Sequence, residues 1–261
     1  MSRGLPVIRR WTCFLALLVV GVVTAEEEKS KCRLRFLAVG NAPPFRQEVR
    51  DGIRYELPPP PGSIPPRVLL LERGAGDDEL EELGKVGLKL GRLSGEIEFP
   101  AAGGKPVRLR EEGEMEPWIE LPKPGAGSYL VVIRRDPQSR TWDRVQTQTV
   151  GDDLPAGTLR FINASSQTLA LVLGEKKVGL TSGKTWTTRL APGKPAGFQL
   201  GLPAEGGGLK RILSRSLEQG PNEKTVVVLS EADRPDARTP LKVTVIRETV
   251  RKRLPPGPPE D

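Results

Sequence analysis

The stretch Thr158–Leu190, TLRFINASSQTLALVLGEKKVGLTSGKTWTTRL, decides the fold class. Leu159 and Phe161 alternate with Arg160, and Leu169, Leu171 and Leu173 alternate with Ala170 and Val172. Gly174-Glu175-Lys176-Lys177 reads as a hairpin tip, Val178 and Leu180 resume the apolar side, and Ser182-Gly183-Lys184 turns the chain again. Trp186, Thr188 and Leu190 then share one face. Apolar residues at every second position, broken by glycine-centred turns, build half-buried strands. The expectation is an all-β protein of tandem β-sandwich domains, each of immunoglobulin-like size, with little helix.

Working outward, the same pattern recurs at Leu34/Phe36/Ala38, Ile53/Tyr55/Leu57, Tyr129–Arg135 and Leu241/Val243/Val245, with unbroken apolar runs at Val68–Leu71 and Thr225–Leu229. The 29 glycines and 26 prolines suit many short strands joined by tight turns. Leu209–Gln219 fits either a helical face or a strand and is read as strand; Gly74–Glu82 is the expected scrap of helix. Gly151–Pro155 is the expected joint between domains. The divisions are a signal peptide over 1–25, a disordered leader over 26–32, a first sandwich over 33–150, a linker over 151–157, a second sandwich over 158–250 and a Pro-rich disordered tail over 251–261.

The two halves repeat one outline. Leu34-Arg35-Phe36 matches Leu159-Arg160-Phe161, Gly52–Gly62 matches Gly183–Gly193, and Leu88-Lys89 matches Leu209-Lys210. Tyr129–Pro137 matches Thr225–Pro235, and Arg144–Val150 matches Lys242–Val250. The order implies either a tandem duplication or one larger sandwich to which each half gives a sheet.

The first residues supply the address. Arg3, Arg9 and Arg10 precede the apolar run Phe14–Val23, which is too short to span a bilayer comfortably, and Val23 and Ala25 are small residues at a cleavage position. A secretory signal peptide cleaved after Ala25 is expected, giving a periplasmic or extracellular protein with no stable membrane anchor. Cys13 lies before the apolar run and Cys32 well beyond it, so neither fits a lipid anchor. Cys32 alone then remains, without an internal disulfide, as an exposed or half-buried bystander.

Composition narrows the chemistry. The chain has no histidine, which excludes Ser-His-Asp triads, Cys-His dyads and His-ligated metals. One mature cysteine excludes thiolate zinc and iron–sulfur sites, so no cofactor is expected. The 40 basic and 33 acidic residues are interspersed, and aromatic residues are few, so nucleic acid is not expected as a partner. Gly179–Thr185 has one residue too few between its glycines for a phosphate loop and precedes a strand, so it reads as a hairpin turn. Asn163-Ala164-Ser165 is read as a chance glycosylation pattern. The carboxylates Glu96/Glu98, Glu111/Glu112/Glu114/Glu116 and Asp152/Asp153 have the residue types of a glycosidase but read as solvated loops and strand edges. Trp186 is expected in the core; Trp118 and Trp142, flanked by polar residues and proline, are the candidate partner-binding residues.

In LRFINASS at Leu159–Ser166, in the Leu-rich hairpin around Leu171–Gly174 and in the LAPG turn at Leu190–Gly193, the second half resembles uncharacterised secreted bacterial β-sandwich modules. The resemblance covers under half of the chain and implies a non-catalytic exported module. The functional expectation is an exported binding or scaffolding protein of the bacterial cell envelope, with a protein or polysaccharide partner docking at exposed sheet edges. The alternative is a secreted hydrolase acting on polysaccharide through carboxylates alone.

Overall fold

The computed structural model describes residues 31–250 apart from 75–79, 102–104, 123, 205–207 and 234–236. The expected signal peptide, most of the expected leader and the expected Pro-rich tail lie outside the described residues. Among those described the protein is all-β, without helix. The expected helical scrap is strand wherever it is described.

The first sandwich has an outer sheet in the order β5-β4-β7-β8, formed by β4 (Val68–Gly74), β5 (Leu80–Gly87), β7 (Val107–Glu111) and β8 (Ile119–Leu121). Its inner sheet runs β10-β9-β1-β6, from β1 (Lys31–Val39), β6 (Ile97–Pro100), β9 (Gly127–Arg135) and β10 (Val145–Gly151). A separate hairpin pairs β2 (Gln47–Arg50) with β3 (Ile53–Glu56). Side chains of Leu34, Phe36, Leu71, Leu109 and Val131 meet between the sheets, with Trp142 closing one end. Cys32 is in this core, fully buried, and burial pushes its thiol pKa up to about 11. The expected bystander is therefore a core residue, because β1 starts at Lys31 and the strand alternation turns Cys32 inward beside Leu34 and Phe36.

The second sandwich repeats this plan. Its inner sheet is β14-β11-β17-β18, from β11 (Thr158–Asn163), β14 (Thr185–Arg189), β17 (Glu223–Glu231) and β18 (Leu241–Thr249). Its outer sheet is β13-β12-β15-β16, from β12 (Leu169–Leu173), β13 (Lys176–Leu180), β15 (Ala196–Pro203) and β16 (Leu209–Leu217). Phe161, Phe198, Leu171, Leu200 and Val227 fill its core, with Trp186 stacked on Phe161 at 5.6 Å between ring centroids. With the β2–β3 hairpin set aside, β1 and β4 to β10 take the places of β11 to β18 strand for strand. Both inner sheets contain one parallel pair, β1 with β9 and β11 with β17. Each half supplies two sheets and its own core, as expected of tandem sandwiches and unlike the alternative of one larger sandwich.

The pairings locate equivalent residues. Leu34 sits opposite Tyr129 and Leu159 opposite Thr225, so the first strands match and Arg35 is equivalent to Arg160. Two expected correspondences fail: Gly52 lies in the turn of the β2–β3 hairpin while Gly183 leads into β14, and Leu88 follows β5 while Leu209 opens β16. Gly-led strands ending in leucine are common in such sequences, and the resemblance was one of composition. The turn at Ser182-Gly183 is likewise no hairpin, since β13 and β14 belong to different sheets and the chain crosses the sandwich there.

The inner sheets pack against each other through their remaining faces. Leu37, Val39, Leu130, Val132 and Leu154 of the first half meet Ile162, Ala164, Val226 and Val228 of the second in one buried cluster. Sheets buried on both faces carry continuous apolar runs, and Leu130–Ile133 and Val226–Leu229 are such runs. The expected joint is part of this seam: Leu154 is buried in it, and Asp152 N donates to Ser128 O at 2.8 Å.

Ion pairs close both ends of the seam. At one, Arg35 Nε donates to Asp152 Oδ2 at 2.6 Å and its Nη2 to Glu248 Oε2 at 3.0 Å, while Lys224 Nζ lies 3.4 Å from Glu248 Oε2. Asp152 and Glu248 are themselves equivalent, each two residues beyond the strand partner (Val150, Ile246) of an equivalent position. At the other end Arg134 Nη1 lies 2.8 Å from Glu231 Oε2, Asn41 N donates to Asp233 Oδ1 at 2.6 Å, and Lys242 Nζ donates to Gly40 O. Burial alone would raise the pKa of Glu231 and Glu248. Hydrogen bonds from Ser166 to the first and from Arg35 to the second outweigh it, and both carboxyls lie below the usual glutamate range.

Arg35→Met removes the hydrogen-bonded guanidinium from the buried Asp152 carboxylate and leaves it Lys224, 4.0 Å away, and the more distant Arg160. The expected loss is about 3–5 kcal/mol of unfolding free energy, read by urea denaturation, because an uncompensated charge stays inside. Adding Asp152→Asn recovers part of it.

Candidate functional site

A scaffold whose halves share one plan draws attention to where they differ. Two joints of the first sandwich are far longer than their counterparts. Residues 40–67 join β1 to β4 where 164–168 join β11 to β12, and residues 88–96 join β5 to β6 where 181–184 join β13 to β14. Connections carry binding residues on rigid scaffolds more often than the elements they link.

The first long joint contains the β2–β3 arm. Asp51 and Gly52 both have positive φ, 51° and 77°, which is the type I′ turn that matches strand twist in a two-residue hairpin. Val49 stands opposite Arg54, Tyr55 opposite Glu48 and Ile53 opposite Arg50. Ile53 and Tyr55 thus share one face of the arm and Val49 takes the other. All three are exposed, as is Phe45 before β2, at 70%. A two-stranded hairpin is marginal alone in water. This one is rooted: Leu57 N donates to Arg46 O at 2.9 Å, and Trp142 N donates to Gly62 O at 2.8 Å, below the proline run Pro58–Pro61.

The second long joint forms one wall of a groove whose other wall is the end of the first. Ile64, Val68, Leu90 and Leu93 give it an apolar lining, Arg67, Lys89 and Arg92 stand around it, and its volume is about 860 Å³. The wall is pinned. Leu88 N donates to Arg67 O at 2.9 Å, Gly91 N to Ala38 O at 2.8 Å, Ser94 N to Phe36 O at 2.9 Å and Phe36 N to Ser94 Oγ at 2.9 Å. Arg92 N donates to Lys89 O at 3.0 Å across a turn in which Gly91 has φ of 72°, a conformation that disfavours any side chain there.

The residues expected to bind a partner lie elsewhere. Trp142 is 2% exposed, its ring in the first core, and Trp118 is half-buried over it, donating Nε1–H to Trp142 O at 2.6 Å. The polar neighbours that pointed outward from Trp142 belong to its turn: Asp143 Oδ1 accepts from Ser139 Oγ at 2.9 Å. The pair is a core edge rather than a stacking platform.

Glu98 accepts from Lys31 at 2.8 Å and Arg33 at 2.7 Å, and those bonds hold its pKa below the usual range. Asp152 is buried, against the expectation of a solvated position, because the seam covers it. Glu111, Glu112, Glu114 and Glu116 are exposed around a turn. Asn163 is fully buried, with Nδ2 donating to Leu180 O and Gln167 O at 2.8 Å each, so it ties a turn together.

The arm's hairpin signal was present in the sequence as Asp51-Gly52 between alternating residues, but Ile53, Tyr55 and Leu57 were read as a strand of the sandwich. Nothing local marks Arg67, Lys89 and Arg92 as neighbours; the fold alone assembles them. No protein-family model matches the chain, and no curated protein matches it either.

Replacing Gln47–Glu56 by a Gly-Gly link is expected to leave the urea midpoint almost unchanged, within about 0.5 kcal/mol, since the arm contributes no residue to any core. A large loss would make the arm structural.

Proposed function

We propose that the chain is an exported, non-catalytic binding or scaffolding protein of the bacterial cell envelope. The single observation that supports this is the arm: Phe45, Val49, Ile53 and Tyr55 lie in solvent on a preorganised hairpin that neither core needs. Exposed apolar side chains gathered on a projecting element have a cost in water that burial against a partner relieves. The two branched aliphatic residues favour a protein surface over a polysaccharide, and the aromatic pair supplies rigid contact area. The unpaired outer edges of β2 and β3 add main-chain donors and acceptors for a strand of the partner. The rest of the molecule serves as a stiff mount, with the arm fixed at its root to the Trp142 turn.

The test is affinity capture from envelope extract with the mature chain, run beside Ile53→Asp/Tyr55→Ser. The expected result is a discrete partner whose recovery falls about tenfold or more in the variant, as for central interface residues. Equal recovery by both proteins, or no partner for either, would contradict the proposal.

A further inference from the structure

We infer that the groove between 64–68 and 87–95 binds an extended acidic peptide segment, with an aliphatic side chain on its floor and carboxylates at Arg67, Lys89 and Arg92. This names a partner chemistry and rests on the reading of the chain as a binding protein.

The charge arrangement carries the inference. Lys89 and Arg92 form an antiparallel bridge across their turn, so their side chains leave the same face directly opposite each other. Like charges so placed destabilise a strand pair. Arg67 joins them through the Leu88 N to Arg67 O bond. None of the three has an ion-pair partner among the described residues, whereas Arg33, Arg35, Arg73, Arg108, Arg110 and Arg134 all do. No carboxylate lines the groove; the adjacent Glu96 lies 3.9 Å from Arg33. Two cations on a pinned turn and a third, Arg67, on the facing wall, none with an ion-pair partner among the described residues, stand around Leu90, Leu93, Ile64 and Val68 and complement an anionic ligand with an apolar part.

The groove's form selects the occupant. It is half-open to solvent rather than enclosed, so an acyl chain laid in it would stay partly wet. An extended peptide sends alternate side chains to opposite sides, with aliphatic groups on the floor and acidic ones at the rim. In the second sandwich the corresponding joints are short, and the pocket lined by their Ala164, Ser165, Ser182 and Gly183 is smaller, at about 200 Å³, which fits a larger groove built onto the scaffold rather than required by it.

The experiment is selection of phage-displayed random peptides on the intact mature protein, in parallel with Arg67→Gln/Lys89→Gln/Arg92→Gln, both checked for strand content by circular dichroism. Peptides rich in Asp or Glu with interspersed Leu, Ile or Val are expected on the wild type. Their affinity by fluorescence anisotropy should fall about tenfold in the triple variant and weaken with added salt. Enrichment of peptides without acidic residues, equal affinity in the variant, or no enrichment would overturn the inference. So would binding of dodecanoate at this site in place of peptide. Because the selection needs no envelope partner and leaves the arm intact, its failure is separable from failure of capture through Ile53 and Tyr55.

Discussion

The structure depends on a dry seam between two sheets. Leu37, Leu130 and Val132 on one side and Ile162, Val226 and Val228 on the other are almost wholly excluded from water. At about 1.5–3 kcal/mol for each fully buried aliphatic side chain, this layer outweighs the modest polar contacts typical between domains of one chain. Two sandwiches that could have swung on a linker form four stacked layers. Arg35, shared by Asp152 of its own half and Glu248 of the other, adds register: the apolar layer alone would tolerate sliding, and a buried charge with two fixed partners does not.

The seam also explains why the inner strands are as they are. A sandwich exposed on one side would have polar residues at alternate positions of β9 and β17. Here both faces are covered, the parallel pairs β1–β9 and β11–β17 sit in the middle, and Val131, Val132, Val227 and Val228 are all inside. The equivalent residues Arg35 and Arg160 both lie on the seam face, but only Arg35 has two carboxylate partners; Arg160 donates to Gly151 O instead. The halves thus share a plan and divide its tasks. What the first half adds, the arm and the groove wall, projects from a frame that holds it still, and a preorganised surface loses less entropy when it is covered.

Strand type and order were legible because alternation is written locally, and Leu34-Arg35-Phe36 and Leu159-Arg160-Phe161 even showed that the halves open alike. The layering was not legible. Leu130–Ile133 reads as buried, but what covers its second face, Ile162, Ala164, Val226 and Val228, lies in the other half of the chain. For the same reason Asp152 read as a solvated joint residue and Cys32 as a bystander: each is decided by what packs over it. Trp142 misled in the other direction, since its polar neighbours satisfy a turn while its ring turns inward. The arm had a readable turn at Asp51-Gly52, but only the absence of Ile53 and Tyr55 from either core separates it from an ordinary strand pair. The groove had no local signal, because Arg67 and the Lys89–Arg92 turn come together only across β4 and β5.

The most direct test of the fused frame is hydrogen exchange by mass spectrometry at increasing urea, following peptides from β4 and β7 in the first outer sheet and from β12 and β15 in the second. These strands lie on opposite sides of the seam and do not touch it. If the seam makes one cooperative unit, all four lose protection at the same urea concentration. Loss of protection in one sandwich while the other stays protected would show two independent domains and contradict the account.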